Sequence, residues 1–250
     1  MNKTELKDLL EHYTDKYNQS NFIKDDPISI PHLFTDPKDI ESIGLIIATI
    51  SWGNRKAILK SGNKLVDIMG HSPYDFIMNA SQTNLKDLKF VHRTFNSNDL
   101  SFFILGLRSI YQNNSSLESA FLNGTTTKDR IANFRSQFLE TPHELRTEKH
   151  VSNPLKGSAS KRINMFLRWM ARNDNKGVDF GIWSEIKPSE LYIPLDVHTG
   201  NVARKLNLIK RKSNDWLALE ELMDQLKKFD PIDPCKYDYA LFGIGVNKEF

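Results

Sequence analysis

Two ionisable residues stand where charge is chemically useful. Lys161 follows a Gly157-Ser158 turn in LKGSASKRINMFLRWMAR, Leu155 to Arg172, and opens an amphipathic helix with Ile163, Phe166, Leu167 and Met170 inward. A lysine there is a solvated charge, a phosphate contact or a nucleophile. Asp196, in IPLDVHTGNVARKL, Ile193 to Leu206, falls at or just before a helix start, where its carboxylate can accept backbone N–H bonds and stay ionised. The plain alternative is an ordinary N-cap. His198, two residues on, fits a base, a cap or a core histidine, and packing in the core is the expectation.

A turn such as Gly157-Ser158 aims backbone N–H groups, and those of the following helix N-terminus, at any phosphate brought against it. Lys156 and Arg162 would add charge. The net charge of +3 says little, but its distribution says more. Arg146, Lys149, Lys156, Lys161, Arg162, Arg168 and Arg172 meet only Glu148 among acids before Arg172, and Arg204, Lys205, Lys210, Arg211 and Lys212 form a second cluster. Such clusters mark phosphate-binding proteins or merely solvated helix faces.

The elements that must hold these residues are helices. Apolar residues recur at helical spacing throughout, and alternating β-branched runs are scarce. The pattern predicts helices over 5–17, 36–50, 55–69, 73–79, 99–111, 117–122 and 128–139, then 145–151, the helix after the turn, 196–208, 214–229 and 233–246. Asp36-Pro37 supplies an N-cap and first-turn proline, and IGLIIATI marks a helix buried on all sides. Pro27 and Pro31 predict an extended link through ISIPHLF, and Asn173 to Tyr192 reads as a connector holding one short turn or helix. Arg168 and Trp169, adjacent on the helix, read as one surface and one core residue.

At 250 residues, 39% hydrophobic and 26% charged, the chain can bury a real core. We expect one unit of two helical lobes, lobe A over 36–140 and lobe B over 1–35 plus 141–250, with the turn region at 145–172. The polar start after Met1 has no apolar h-region, and no run of 18 apolar residues occurs, so the expectation is a cytoplasmic protein with no membrane partner. Cys235 stands alone, which excludes an internal disulfide and a thiolate cluster, and reads as a small buried residue. The seven histidines are scattered, without His-Glu-x-x-His or His-x-x-Glu-His spacing.

Leu155-Lys156-Gly157-Ser158-Ala159-Ser160-Lys161 resembles, position for position, the Leu-Pro-Gly-Val-Gly-x-Lys hairpin of the helix–hairpin–helix DNA glycosylases. Pro-Leu-Asp196-Val-His198 is similar to their Pro-Val-Asp-x-His segment. The order, lysine then aspartate, makes the resemblance specific. It covers 155–208 closely and extends over 36–246, where Leu45 to Gly70 looks like the family's early helix pair. Lys156, Ser158 and Ala159 depart from the pattern and imply an altered turn. The 35-residue separation of Lys161 and Asp196 is closer to archaeal 8-oxoguanine glycosylases, with Asn173 to Tyr192 as their insertion. RINMFLRWMAR and PLDVHTGNVARKL also resemble an uncharacterised bacterial family placed in this superfamily.

The resemblance implies a mainly α, two-lobed fold and a base-excision repair enzyme acting on double-stranded DNA with a damaged base or abasic site. The base would be an oxidised purine such as 8-oxoguanine. The enzyme would be a monomer without a cofactor, the iron–sulfur loop being absent. Asp196 would face the oxocarbenium-like transition state, and Lys161 would attack C1′ to form a Schiff base that eliminates the 3′ phosphate. An ordinary lysine amine is protonated at neutral pH, so a nucleophilic one must lose that proton, to Asp196 or to the departing base. Lys156, Gly157, Ser158, Ala159, Arg162 and His198 would contact DNA. Asn54 or Arg55 in SWGNRK would fill the gap left by the flipped base, with Trp52 or Phe242 stacking on it, although core packing is the commoner fate of such aromatics. Two alternatives stay open: a nucleic-acid-binding hairpin module without chemistry, and a helical protein-interaction scaffold.

Overall fold

In the computed structural model, which describes residues 1–249, helices dominate and the sheet is one two-stranded hairpin. The chain divides into two compact units, one of residues 1–22 with 153–250 and one of residues 23–152. These limits fall at 22/23 and 152/153, where the sequence reading put 35/36 and 140/141.

In the 23–152 unit, Asp26 and two prolines shape the entry. The Asp26 carboxylate accepts from Ile28 N at 3.1 Å, and Pro27 and Pro31 each open a 3-10 turn, Pro27–Ser29 and Pro31–Leu33. The expected extended link is thus a pair of turns: proline at a first helical position loses no hydrogen bond, and Ile30 keeps helical angles despite the proline after it. These turns pack on α2 (Pro37–Ile50) and α3 (Arg55–Ile68), which is why 23–35 belongs with this unit. Asp36 caps α2 through Lys38 N at 2.8 Å, and every residue from Ile40 to Ile50 is buried, as IGLIIATI predicts. Buried Glu41 is matched by donors, accepting from Leu117 N and Ser116 Oγ at 3.0 and 2.9 Å.

Next come α4 (Pro73–Asn79), α5 (Gln82–Lys86), β1 (Val91–His92), β2 (Phe95–Asn96), α6 (Ser97–Asn113) and α7 (Thr127–Phe138). The segments predicted as helices at 117–122 and 145–151 are 3-10 turns, Leu117–Phe121 and Leu145–His150. α5 and the β hairpin carry no periodicity long enough to be read from sequence. Phe95, Phe102, Phe103, Phe134 and Phe138 build the core in edge and stacked contacts. Buried Asp99 accepts from Arg146 Nη1 at 2.8 Å and Thr147 Oγ1 at 2.7 Å, so the 145–150 turn is tied to α6.

The other unit holds α1 (Lys3–Tyr17), α8 (Lys161–Ala171), α9 (Val197–Lys205), α10 (Trp216–Leu226) and α11 (Tyr237–Asn247). α1 lies along α11, where Tyr17 and Lys16 both reach Glu249. The connector after α8 runs beside that helix, Phe180 N donating to Trp169 O and Trp183 N to Met170 O, and holds one short 3-10 turn at Pro188–Glu190. Cys235 is fully buried. Among the described residues no helix is long and apolar enough to cross a membrane.

Candidate active site

The hairpin before α8 is built by four short-range devices. Asn153 Oδ1 accepts from Leu155 N at 3.0 Å, and Gly157 N donates to Pro154 O at 3.0 Å. Gly157 has φ +86°, a conformation open to glycine at no steric cost. The turn is then clamped from α10: Trp216 N donates to Gly157 O at 2.9 Å, and Ser158 forms an antiparallel bridge with Asp215. From the helix itself, buried Asn164 donates Nδ2 to Ala159 O at 3.0 Å.

Ala159, standing for a second hairpin glycine, does not have positive φ. That strain passes to Ser160, the cap of α8, at φ +47° and ψ +38°. Lys156, Gly157 and Ser158 are exposed and Ala159 is buried. Arg162 is half-buried, and the burial pushes its guanidinium down to about 10, still charged at neutral pH.

Lys161 is the first residue of α8 and Asp196 caps α9, and the fold brings them together: Lys161 Nζ lies 3.6 Å from Asp196 Oδ2. The two oxygens of Asp196 divide the work. Oδ1 accepts from Thr199 N at 2.9 Å as the N-cap, leaving Oδ2 for the lysine. The Asp196 carbonyl is held in turn by Asn214 Nδ2 at 2.9 Å. Gly200 admits that amide, since a Cβ there would sit 2.5 Å from Asn214 Oδ1. Neither charge is sealed off, the Lys161 side chain being 32% and the Asp196 side chain 16% exposed.

His198 is exposed, not packed in the core as expected, and meets the edge of Phe242 at 6.3 Å between ring centres. Position 198 lies on the first turn of α9, whose buried face is Thr199, Gly200, Val202 and Ala203. Phe242 is half-buried and also touches Phe22. A groove of about 620 Å³ beside them is lined by His198, Arg204, Lys205 and Lys248, with Asn201, Val202, Ile244 and Gly245 and no carboxylate. The Arg204 guanidinium is held by neutral acceptors, Arg211 O, Ser213 O and Asn214 Oδ1. Arg211, by contrast, is paired with Asp215 at 2.7 Å.

Trp52, Asn54 and Arg55 belong to the 23–152 unit. Asn54 Oδ1 caps α3 by accepting from Ala57 N at 3.2 Å, Arg55 is half-buried, and Trp52 stacks on His150 with its edge toward His92.

Arg168 was read as a surface residue and is instead 4% exposed, beside fully buried Trp169. The reason is charge matching: Arg168 Nε meets Asp179 Oδ1 at 3.2 Å, and its Nη1 meets Asp238 Oδ2. Arg172 binds Asp174, Asp179 and Asp233 at 2.8, 3.0 and 2.8 Å, and both guanidinium groups lie over the Tyr239 ring. These two arginines are therefore not available to phosphate. Asp238, Asp179 and Asn164 were not singled out from sequence. The one usable signal was the spacing of 161, 164, 168 and 172, a polar stripe along a helix otherwise apolar.

A family model described as a protein of unknown function, DUF2400, matches residues 26–247, and the chain belongs to that family. No curated protein and no solved structure matches it.

Proposed function

We propose that the chain is a DNA glycosylase with lyase activity, built on a helix–hairpin–helix fold and removing a damaged purine such as 8-oxoguanine. The observation that carries this reading is the 3.6 Å approach of an amine and a carboxylate from separate helix starts, both open to solvent. Asp196 fits the role of the charge that stabilises an oxocarbenium-like sugar, because Oδ1 is committed to the helix and Oδ2 remains for the reaction. Lys161 fits the nucleophile: its neutral amine attacks C1′, the base leaves with the C1′–N bonding pair, and the resulting Schiff base permits loss of the 3′ phosphate. The exposed hairpin residues 156–158 and the carboxylate-free groove at His198, Arg204, Lys205 and Lys248 support phosphate contacts.

The test is hydride trapping on duplexes carrying an oxidised purine or an abasic site. A covalent adduct that Lys161→Ala abolishes is expected. Duplex binding that falls steeply with salt, with no adduct on any lesion, would favour a binding module; no duplex binding at low salt would favour the interaction scaffold.

A further inference from the structure

Asp238, in the first turn of α11, is 5% exposed. One oxygen, Oδ2, receives Arg168 Nη1; the other, Oδ1, is shut off from solvent and has no hydrogen-bond partner. Arg168 does not need Asp238 as its only counter-ion, since Asp179 already meets its Nε. Arg168 also stands seven residues, two turns, after Lys161 on α8, so Asp238 is fastened to the same face of the helix that presents the lysine. The charged and titratable groups acting on Asp238 come from every element around it: Lys161 and Arg168 from α8, Asp196 from the cap of α9, Asp179 from the connector, and the Cys235 thiol from the turn before α11. Both members of the candidate pair are therefore near enough for their charges to act on it.

We propose that Asp238 is a positioning residue for the proton of Lys161: the lysine amine becomes neutral as Asp238 takes up a proton, while Asp196 remains ionised. The exchange balances. The proton leaves Nζ, its bonding pair stays on nitrogen, and a carboxylate oxygen of Asp238 gains the proton, so the summed charge of the cluster is unchanged. Burial, with Asp196 and Asp179 adding to it, holds the Asp238 acid up to about 7 against the pull of Arg168 and Lys161, which suits a group that exchanges protons at neutral pH. The use of this neutral amine in Schiff-base chemistry rests on the lyase reading; the proton linkage itself does not.

The experiment measures Lys161 directly in the full chain. Acetylation of Lys161 by acetic anhydride is followed by mass spectrometry from about pH 6 to about pH 10, in the wild type and in Asp238→Asn, whose amide is permanently neutral. The variant should react at lower pH, its midpoint displaced downward by about half a pH unit or more, which is about threefold greater reactivity on the rising limb. An unchanged midpoint overturns the proposal. Should Asp238→Asn fail to fold, the reciprocal measurement decides: linkage requires that removing the ammonium in Lys161→Ala raise the Asp238 midpoint, read by carbon-13 NMR of labelled aspartates, and a fixed midpoint refutes the coupling. Trapping on abasic DNA in the same samples separates the two claims. A displaced midpoint without trapping sinks the lyase reading alone, and trapping with a fixed midpoint sinks the linkage alone.

Discussion

At the scale of single residues, Asp196 has two roles in one carboxylate, and they can be parted. Asparagine is as good an N-cap as aspartate, so Asp196→Asn keeps an oxygen for Thr199 N while removing the charge opposite Lys161. The expected outcome is base excision reduced by about 100-fold or more, with a thermal midpoint within about 2 °C of the wild type. An excision rate matching the wild type would make Asp196 only a cap. Lys161 and Asp196 were legible from sequence because each sits beside a local signal, a Gly-Ser turn and a helix start. His198 and Arg168 were misjudged because their settings are decided by partners distant in the chain. His198 lies on the open side of α9, and Arg168 is drawn inside by Asp179 and Asp238.

At the scale of elements, the start of α8 is held by contacts from three directions rather than by a side-chain cap. Asn164 reaches back to Ala159 O, and Trp216 N and Asp215 clamp 157 and 158 from α10. Asn164→Ala leaves the Ala159 carbonyl unpaired in a buried setting, which costs about 1 to 3 kcal/mol. Urea unfolding should show that loss, and duplex affinity should fall with it as the hairpin loosens; an unaltered midpoint would mean that the α10 clamp suffices. Helix positions were largely readable, because Asp36-Pro37 marks the start of α2 and Pro73 that of α4. The short elements were not. A five-residue helix such as α5, and strands of two residues, leave no period to detect, and the 3-10 turns at 27–33 depend on packing against α2.

At the scale of the whole molecule, the 23–152 unit is stabilised by apolar and aromatic packing, and the other unit also contains a buried ionic cluster. That cluster gives a pH dependence with a definite sign. Folded Asp238 keeps its proton up to about 7, whereas an unfolded aspartate releases it near about 4. Across that window the native state holds more protons, so the Asp238 contribution to stability falls as pH rises. The stability of the wild type relative to Asp238→Asn should accordingly decrease from about pH 4 to about pH 7, read by urea titration at each pH; a flat difference would show that the acid is not perturbed. The division into units was not placed by sequence, since what assigns 141–152 to its neighbours is the grip of buried Asp99 on Arg146 and Thr147, a long-range contact without local signature. The central claim is chemical, and the most direct measurement is peptide mapping of the borohydride-reduced complex with an abasic duplex. A single DNA-derived mass on the peptide containing Lys161 is predicted, and an adduct elsewhere, or one that persists in Lys161→Ala, would contradict the account.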